Sequence, residues 1–119
     1  MSEVKRCRYD DADEVRTPPL ARVDVVHLDG AVTSRSTFQP GWRWSESVKP
    51  IAGTETCQVH HVGAVLSGRV AVQHGDETVE LSAGDAYVIE PGHDAWVVGD
   101  EPFVALEFDT HAAETYAKS

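Results

Sequence analysis

Hydrophobic and polar positions alternate along most of this chain in short runs, each closed by glycine, proline or aspartate. "ARVDVVHLDG" alternates and stops at Asp29-Gly30, which predicts a strand and then a turn. "AVTSRSTFQPGW" predicts a second strand, with Pro40-Gly41 as its brake. "WRWSESV" alternates as well, placing Trp42, Trp44 and Glu46 on one strand face and Arg43, Ser45 and Ser47 on the other. "KPIAGT" reads as loop, and "ETCQVHHVGAVLSG" as strand, bend at Gly63, and strand again. The clearest element is "RVAVQHGDETVEL", two alternating runs around His74-Gly75-Asp76, a hairpin. Three further strands follow, separated by Pro91-Gly92 and by Gly99-Asp100-Glu101-Pro102.

Only the ends depart from this pattern. Residues 1–19 are charged and finish in "TPP", which predicts an extended arm rather than a helix. "THAAETYAK" reads as a short C-terminal helix over 110–119, with Thr110 as its N-cap. Between them, residues 20–109 form one β-domain: short strands with a turn signal every ten residues or so predict a sandwich or barrel. Edge strands of such a fold offer pairing surfaces, and a homodimer is expected.

Composition narrows the partners. With 41% hydrophobic residues in 119, the chain can bury a single core. The formal charge of -10 leaves no Lys/Arg cluster to neutralise phosphates, which excludes nucleic acid and disfavours an anionic membrane surface. No apolar run approaches the roughly 20 residues of a membrane helix, and the first residues lack the apolar core of a secretory signal. Cys7 and Cys57 do not make a disulfide framework, so a cytoplasmic protein is expected.

The stretch "VLSGRVAVQHGDETVELSAGDAYVIEPG" resembles the cupin family of small jelly-roll barrels, and the likeness spans roughly residues 36–108. "PGWRWSESVKP" and "PGHDAWVVGDEP" further resemble a bacterial subgroup of small stand-alone cupins, also found beside nucleotide-cyclase domains. The resemblance implies an all-β cupin-type jelly-roll β-barrel with the short helix appended. It also implies a divalent metal inside the barrel, held by the residues of two motifs, G-x5-H-x-H-x3/4-E-x6-G and G-x5-P-x-G-x2-H-x3-N. With the first motif's last glycine on Gly68, His61 takes the glutamate position, Cys57 the second histidine and Glu55 the first. With the second motif on Gly84 and Gly92, the histidine position falls on Ala95; His93 lies two residues earlier, with the same parity. Strand parity sends 55, 57, 59 and 61 to one face and His60 to the other, so the His60-His61 doublet holds one candidate ligand.

The candidate metal ligands are therefore His61, His93, Cys57 and Glu55, and thiolate with imidazole suits zinc or iron. Trp42, Trp44 and Trp96, with Glu46 as a polar handle, are the candidate walls of a pocket for a small organic ligand; packing in the core competes with that role. Asp94 can orient His93 or close the Pro-Gly turn, and His27, His74 and His111 read as surface. A nucleophilic Cys57 would need His61 beside it, about 13 Å away on an extended strand, so only a bend at 59–63 permits that chemistry. Three functions remain: a small-molecule-binding cupin in which His61 and His93 either ligate a metal or hydrogen-bond the ligand directly, a metal-dependent oxygenase or isomerase with Glu46 or His93 as acid/base, and a ligand-sensing module.

Overall fold

A computed structural model describes residues 4–108; the expected C-terminal helix lies outside the described residues. Nine strands account for about half of the described residues: β1 Glu14–Arg16, β2 Ala21–Leu28, β3 Ala31–Phe38, β4 His61–Ser67, β5 Arg69–His74, β6 Glu77–Ser82, β7 Ala86–Ile89, β8 His93–Val97 and β9 Phe103–Glu107. They form a six-stranded sheet in the order β1-β2-β3-β9-β4-β7 and a three-stranded sheet in the order β6-β5-β8. Every pairing is antiparallel. This is the all-β barrel that the alternation and turn spacing predict.

The turns explain the hairpins. Asp29 (φ 46°) and Gly30 (φ 93°) make the two-residue link between β2 and β3, both left-handed, as a hairpin whose twist matches its strands requires. At Gly68 (φ 77°) the chain leaves one sheet for the other, and any Cβ there would collide with the Pro102 carbonyl oxygen. Inward-facing residues then meet between the sheets: Val23 and Val25 from β2, Phe38 from β3, Val65 from β4, Val70 and Val72 from β5, and Phe103 and Ala105 from β9. Phe38 stacks on Trp42 at 3.9 Å between ring centroids, nearly parallel, and on Phe103 at 5.9 Å.

Two segments depart from the strand pattern. "WRWSESV" is not a strand: Trp44–Ser47 forms a helical turn, α1, and Lys49–Ala52 a second, α2, where loop was expected. Trp44, Ser47 and Val48 are buried, a spacing of three and four that suits a helix as well as the alternation suits a strand. Asp94 on β8 tips the balance by accepting from the Ser45 backbone N–H at 3.2 Å and pairing with Arg43 at 3.1 Å. Pro50 stands in the first turn of α2, where its missing N–H costs nothing, and left-handed Gly53 (φ 74°) closes it.

The second departure is residues 55–60, which are irregular rather than strand. Their one sheet-like link is a bridge between Cys57 and His93, with backbone bonds from Cys57 N–H to His93 O (2.8 Å) and from Gly92 N–H to Cys57 O (2.7 Å). Strand parity therefore cannot be used to place 55, 57 and 61.

The N-terminal arm is docked on the sheet. β1 pairs with β2, the Tyr9 hydroxyl meets Thr33 Oγ1 at 2.8 Å, and Asp10 pairs with Arg35 at 2.9 Å.

Candidate metal centre

Three separate parts of the chain deliver one cluster into the barrel: Cys57 from the irregular segment, His61 as the first residue of β4, and His93 as the first residue of β8. All three are buried, Cys57 to 2% exposure. One ligand atom from each lies within 4.8 Å of the others. Cys57 Sγ stands 3.6 Å from His61 Nε2, and the two imidazoles meet edge to face with centroids 5.1 Å apart.

Both imidazoles are aimed from behind. His61 Nδ1–H donates to Glu107 Oε1 at 2.6 Å, and Tyr87 O–H donates to Glu107 Oε2 at 2.6 Å. His93 Nδ1–H donates to the Glu90 carbonyl at 2.7 Å. A carboxylate and a carbonyl only accept, so Nδ1 carries a proton in each ring and Nε2 faces the cluster. Gly63 makes room for the Tyr87 contact; a Cβ there would strike the Leu106 carbonyl and lie 2.8 Å from the Tyr87 hydroxyl.

The electrostatics follow from the same contacts. Burial pushes the Cys57 thiol up, but bonds from His61 and His93 outweigh it and bring the pKa down to about 6. Burial works against a charged His61 as well, yet the Glu107 carboxylate and the Cys57 sulfur together raise it to about 10.

The donor set fits a borderline divalent metal. At zinc bond lengths of about 2.3 Å to sulfur and 2.0–2.1 Å to nitrogen, two tetrahedral ligands stand about 3.5 Å apart. The Cys57–His61 separation of 3.6 Å meets that requirement. Imidazoles whose second nitrogen is held by a carboxylate or a carbonyl are how proteins orient such ligands.

The other expected site residues lie elsewhere. Glu55 is not in the cluster: its side chain is 89% exposed and pairs with Lys49 Nζ at 2.8 Å, because the irregular backbone turns it outward. Glu46 is exposed on α1, where the helical turn takes it off the Trp42 and Trp44 face. Trp96 lies beneath Arg43, whose guanidinium carbon is 4.5 Å from its ring centroid, and not in the cavity wall. Trp42 and Trp44 do line the cavity, together with His61, His93, Tyr87 and Glu107. The space they border is about 40 Å³ and is partly open to solvent.

The strand reading missed Glu107 and Tyr87. In "FVALEF" the buried positions are Phe103, Ala105 and Glu107, so a lone glutamate in the inward phase of an apolar strand was the available signal. The bend that a nucleophilic Cys57 needs is present, but its sulfur is enclosed and faces a second imidazole that such a pair does not use.

Solved structures share this architecture. A protein of unknown function from Rhizobium leguminosarum bv. viciae matches with a TM-score of 0.64 and 22% identity, over 89% of this chain and 95% of its own. One from Acidithiobacillus ferrooxidans, also of unknown function, matches at 0.59 with 24% identity, over 82% and 88%. KdgF from a Halomonas species matches at 0.56 with 21% identity, over 82% and 87%. No curated protein sequence matches. The model of the cupin domain matches residues 36–109, more than half of the chain and every residue of the cluster described above, and the chain belongs to that family.

Proposed function

We propose that this chain is a small-molecule-binding cupin domain that holds one divalent transition metal, zinc in preference to iron, on Cys57, His61 and His93. One observation carries the reading: three buried donors from three segments converge within 4.8 Å, and both imidazoles have their other nitrogen occupied. Three protein ligands leave a coordination position open, as in zinc sites that bind substrate or water rather than serving structure alone. When bound, the metal supplies a Lewis-acid position for an oxygen or nitrogen of the ligand. Glu107 and Tyr87 keep His61 in place, and Trp42 and Trp44 wall the cavity beside it.

A binding role is favoured over an assigned reaction. The carboxylate expected to act as acid or base, Glu46, is exposed on α1, and His93 faces the cluster. The exposed apolar residues Val79 on β6 and Val88 on β7 favour a homodimer, checked by light scattering on the purified protein. No helix among the described residues is long and apolar enough to cross a membrane.

Elemental analysis of protein purified without added metal tests the central reading. Near-stoichiometric zinc or iron is expected in the wild type, and its loss in a folded His61→Ala variant. Absence of metal after loading with either ion would end the proposal.

A further inference from the structure

An antiparallel sheet with a core on one side normally presents polar residues on the other. The outer face of the large sheet obeys that rule on one half only. Across β2 and β3 it presents Arg22, Asp24, Thr33, Arg35 and Thr37, and the N-terminal arm lies on Thr33 and Arg35 through Tyr9 and Asp10. Across β9, β4 and β7 every outward position is apolar. The register sets Phe108, Val62 and Val88 in one row and Leu106, Ala64 and Ala86 in the next. Val104 and Leu66 follow at the β4 bulge. Phe108 is 54% exposed, Val88 60% and Leu66 52%, so no described residue covers them. The inner faces of the same three strands carry His61, Tyr87 and Glu107, which places this bare face directly behind the metal centre.

We infer that a second copy of this chain packs its own β9-β4-β7 face against this one about a two-fold axis, with the two metal centres back to back. The inference rests on the homodimer reading above and names its interface. Charge selects the occupant. Each chain carries a formal charge of -10, so two copies must meet where carboxylates do not face one another. A two-fold contact sets one patch against itself, and none of these outward positions is charged. Exposed Val79 on β6, by contrast, shares its recess with Glu77 and Glu90. An anionic lipid surface fits less well, because Arg35, which borders the face opposite Leu106, is already held by Asp10 and Asp24. Area agrees with a core and a rim. Three strands about 4.8 Å apart, each some six residues long at about 3.3 Å per residue, give about 300 Å² of flat apolar face. A stable dimer buries about 800 Å² on each partner. The bare half is thus the apolar core of the contact, and the polar rows of β2 and β3 supply the rim.

Analytical ultracentrifugation of the wild type and of Leu66→Glu separates the two readings. The wild type should sediment as a dimer; a monomer overturns the homodimer and its interface together. Leu66→Glu brings two like charges onto one two-fold contact and should weaken association at least about 100-fold. Its near-ultraviolet circular dichroism, set by the buried stack of Trp42 on Phe38, should be unchanged. A folded variant that dimerises like the wild type overturns the interface alone.

Hydroxyl-radical footprinting of the wild type covers a variant that fails to fold. Leu20, 50% exposed on the described chain, is a reference of the same type and exposure as Leu66, and Val79 (47%) serves Val88. In the dimer Leu66 and Val88 should be oxidised at least about fivefold more slowly than these references, since an interface core excludes water. Equal rates, or slowing at Val79 instead, overturn the assignment. Slowing of Leu66 and Val88 in a protein that sediments as a monomer would give the face to residues 109–119, which follow Phe108, and would overturn the second copy.

Discussion

Two of the clusters that bury a charge among the described residues differ in what they leave unsatisfied. On the outer face of the large sheet, Asp24 is 0% exposed and is gripped by Arg22 at 2.8 Å and Arg35 at 3.0 Å. Arg35 lies directly across the strand pair from Asp24, and the docked N-terminal arm adds Tyr9 and Asp10 around it. Its charges are matched within the protein, and guanidinium has no lone pair to offer. Inside the barrel, by contrast, His61 and His93 spend one nitrogen on protein acceptors and turn the other toward Cys57, beside two unanswered indole donors. A buried charge is thus weak evidence for function; a convergent set of metal-binding donor atoms is stronger evidence.

The largest effect that tests this contrast is on stability. Asp24→Ala removes the buried anion from between two cations, at a cost of about 3 kcal/mol, the lower end for breaking a buried pair because both guanidiniums reach solvent. Urea unfolding measures the loss, and zinc affinity of the folded variant should match that of the wild type. If zinc affinity collapsed as well, the two clusters would not be independent.

Glu107→Gln sharpens the comparison from the other side. It keeps the shape and an acceptor for His61 but removes the charge behind the imidazole. Zinc affinity should fall about 10–100-fold, the usual cost of altering the partner of a metal-binding histidine. Competition with a chromogenic chelator measures it. Tyr87→Phe acts one bond further back, through a single hydrogen bond to Glu107, and should weaken zinc only about threefold.

These residues also mark where sequence reasoning reached and where it stopped. The strands were legible because period-two alternation and Asp-Gly or Pro-Gly turns agree along most of the chain. "WRWSESV" was not, because three apolar positions in seven residues satisfy both periods; Asp94, fifty residues away, supplies the hydrogen bond that decides. The cluster was legible as residue types and not as geometry. Parity assumes an unbroken strand from 55 to 61, and the chain breaks it by bonding Cys57 to His93. That break admits Cys57, His61 and His93 together and turns Glu55 away.

Glu55 gives the smallest effect, and it tests that last point. Lys49 holds its carboxyl below the ordinary value of 4.5, through a hydrogen bond and charge attraction. A group with a depressed folded pKa contributes stability above its unfolded value and loses it as pH falls through the lowered one. Whatever this pair adds is thus present at neutral pH and gone in acid. Both partners are solvated, so the pair belongs to the class of surface ion pairs that contribute little. Glu55→Gln should leave the urea midpoint at pH 7 almost unchanged and zinc affinity within about twofold of the wild type. A tenfold fall in affinity with unchanged stability would return Glu55 to the ligand set, by a route in which the 53–58 segment folds inward when metal binds.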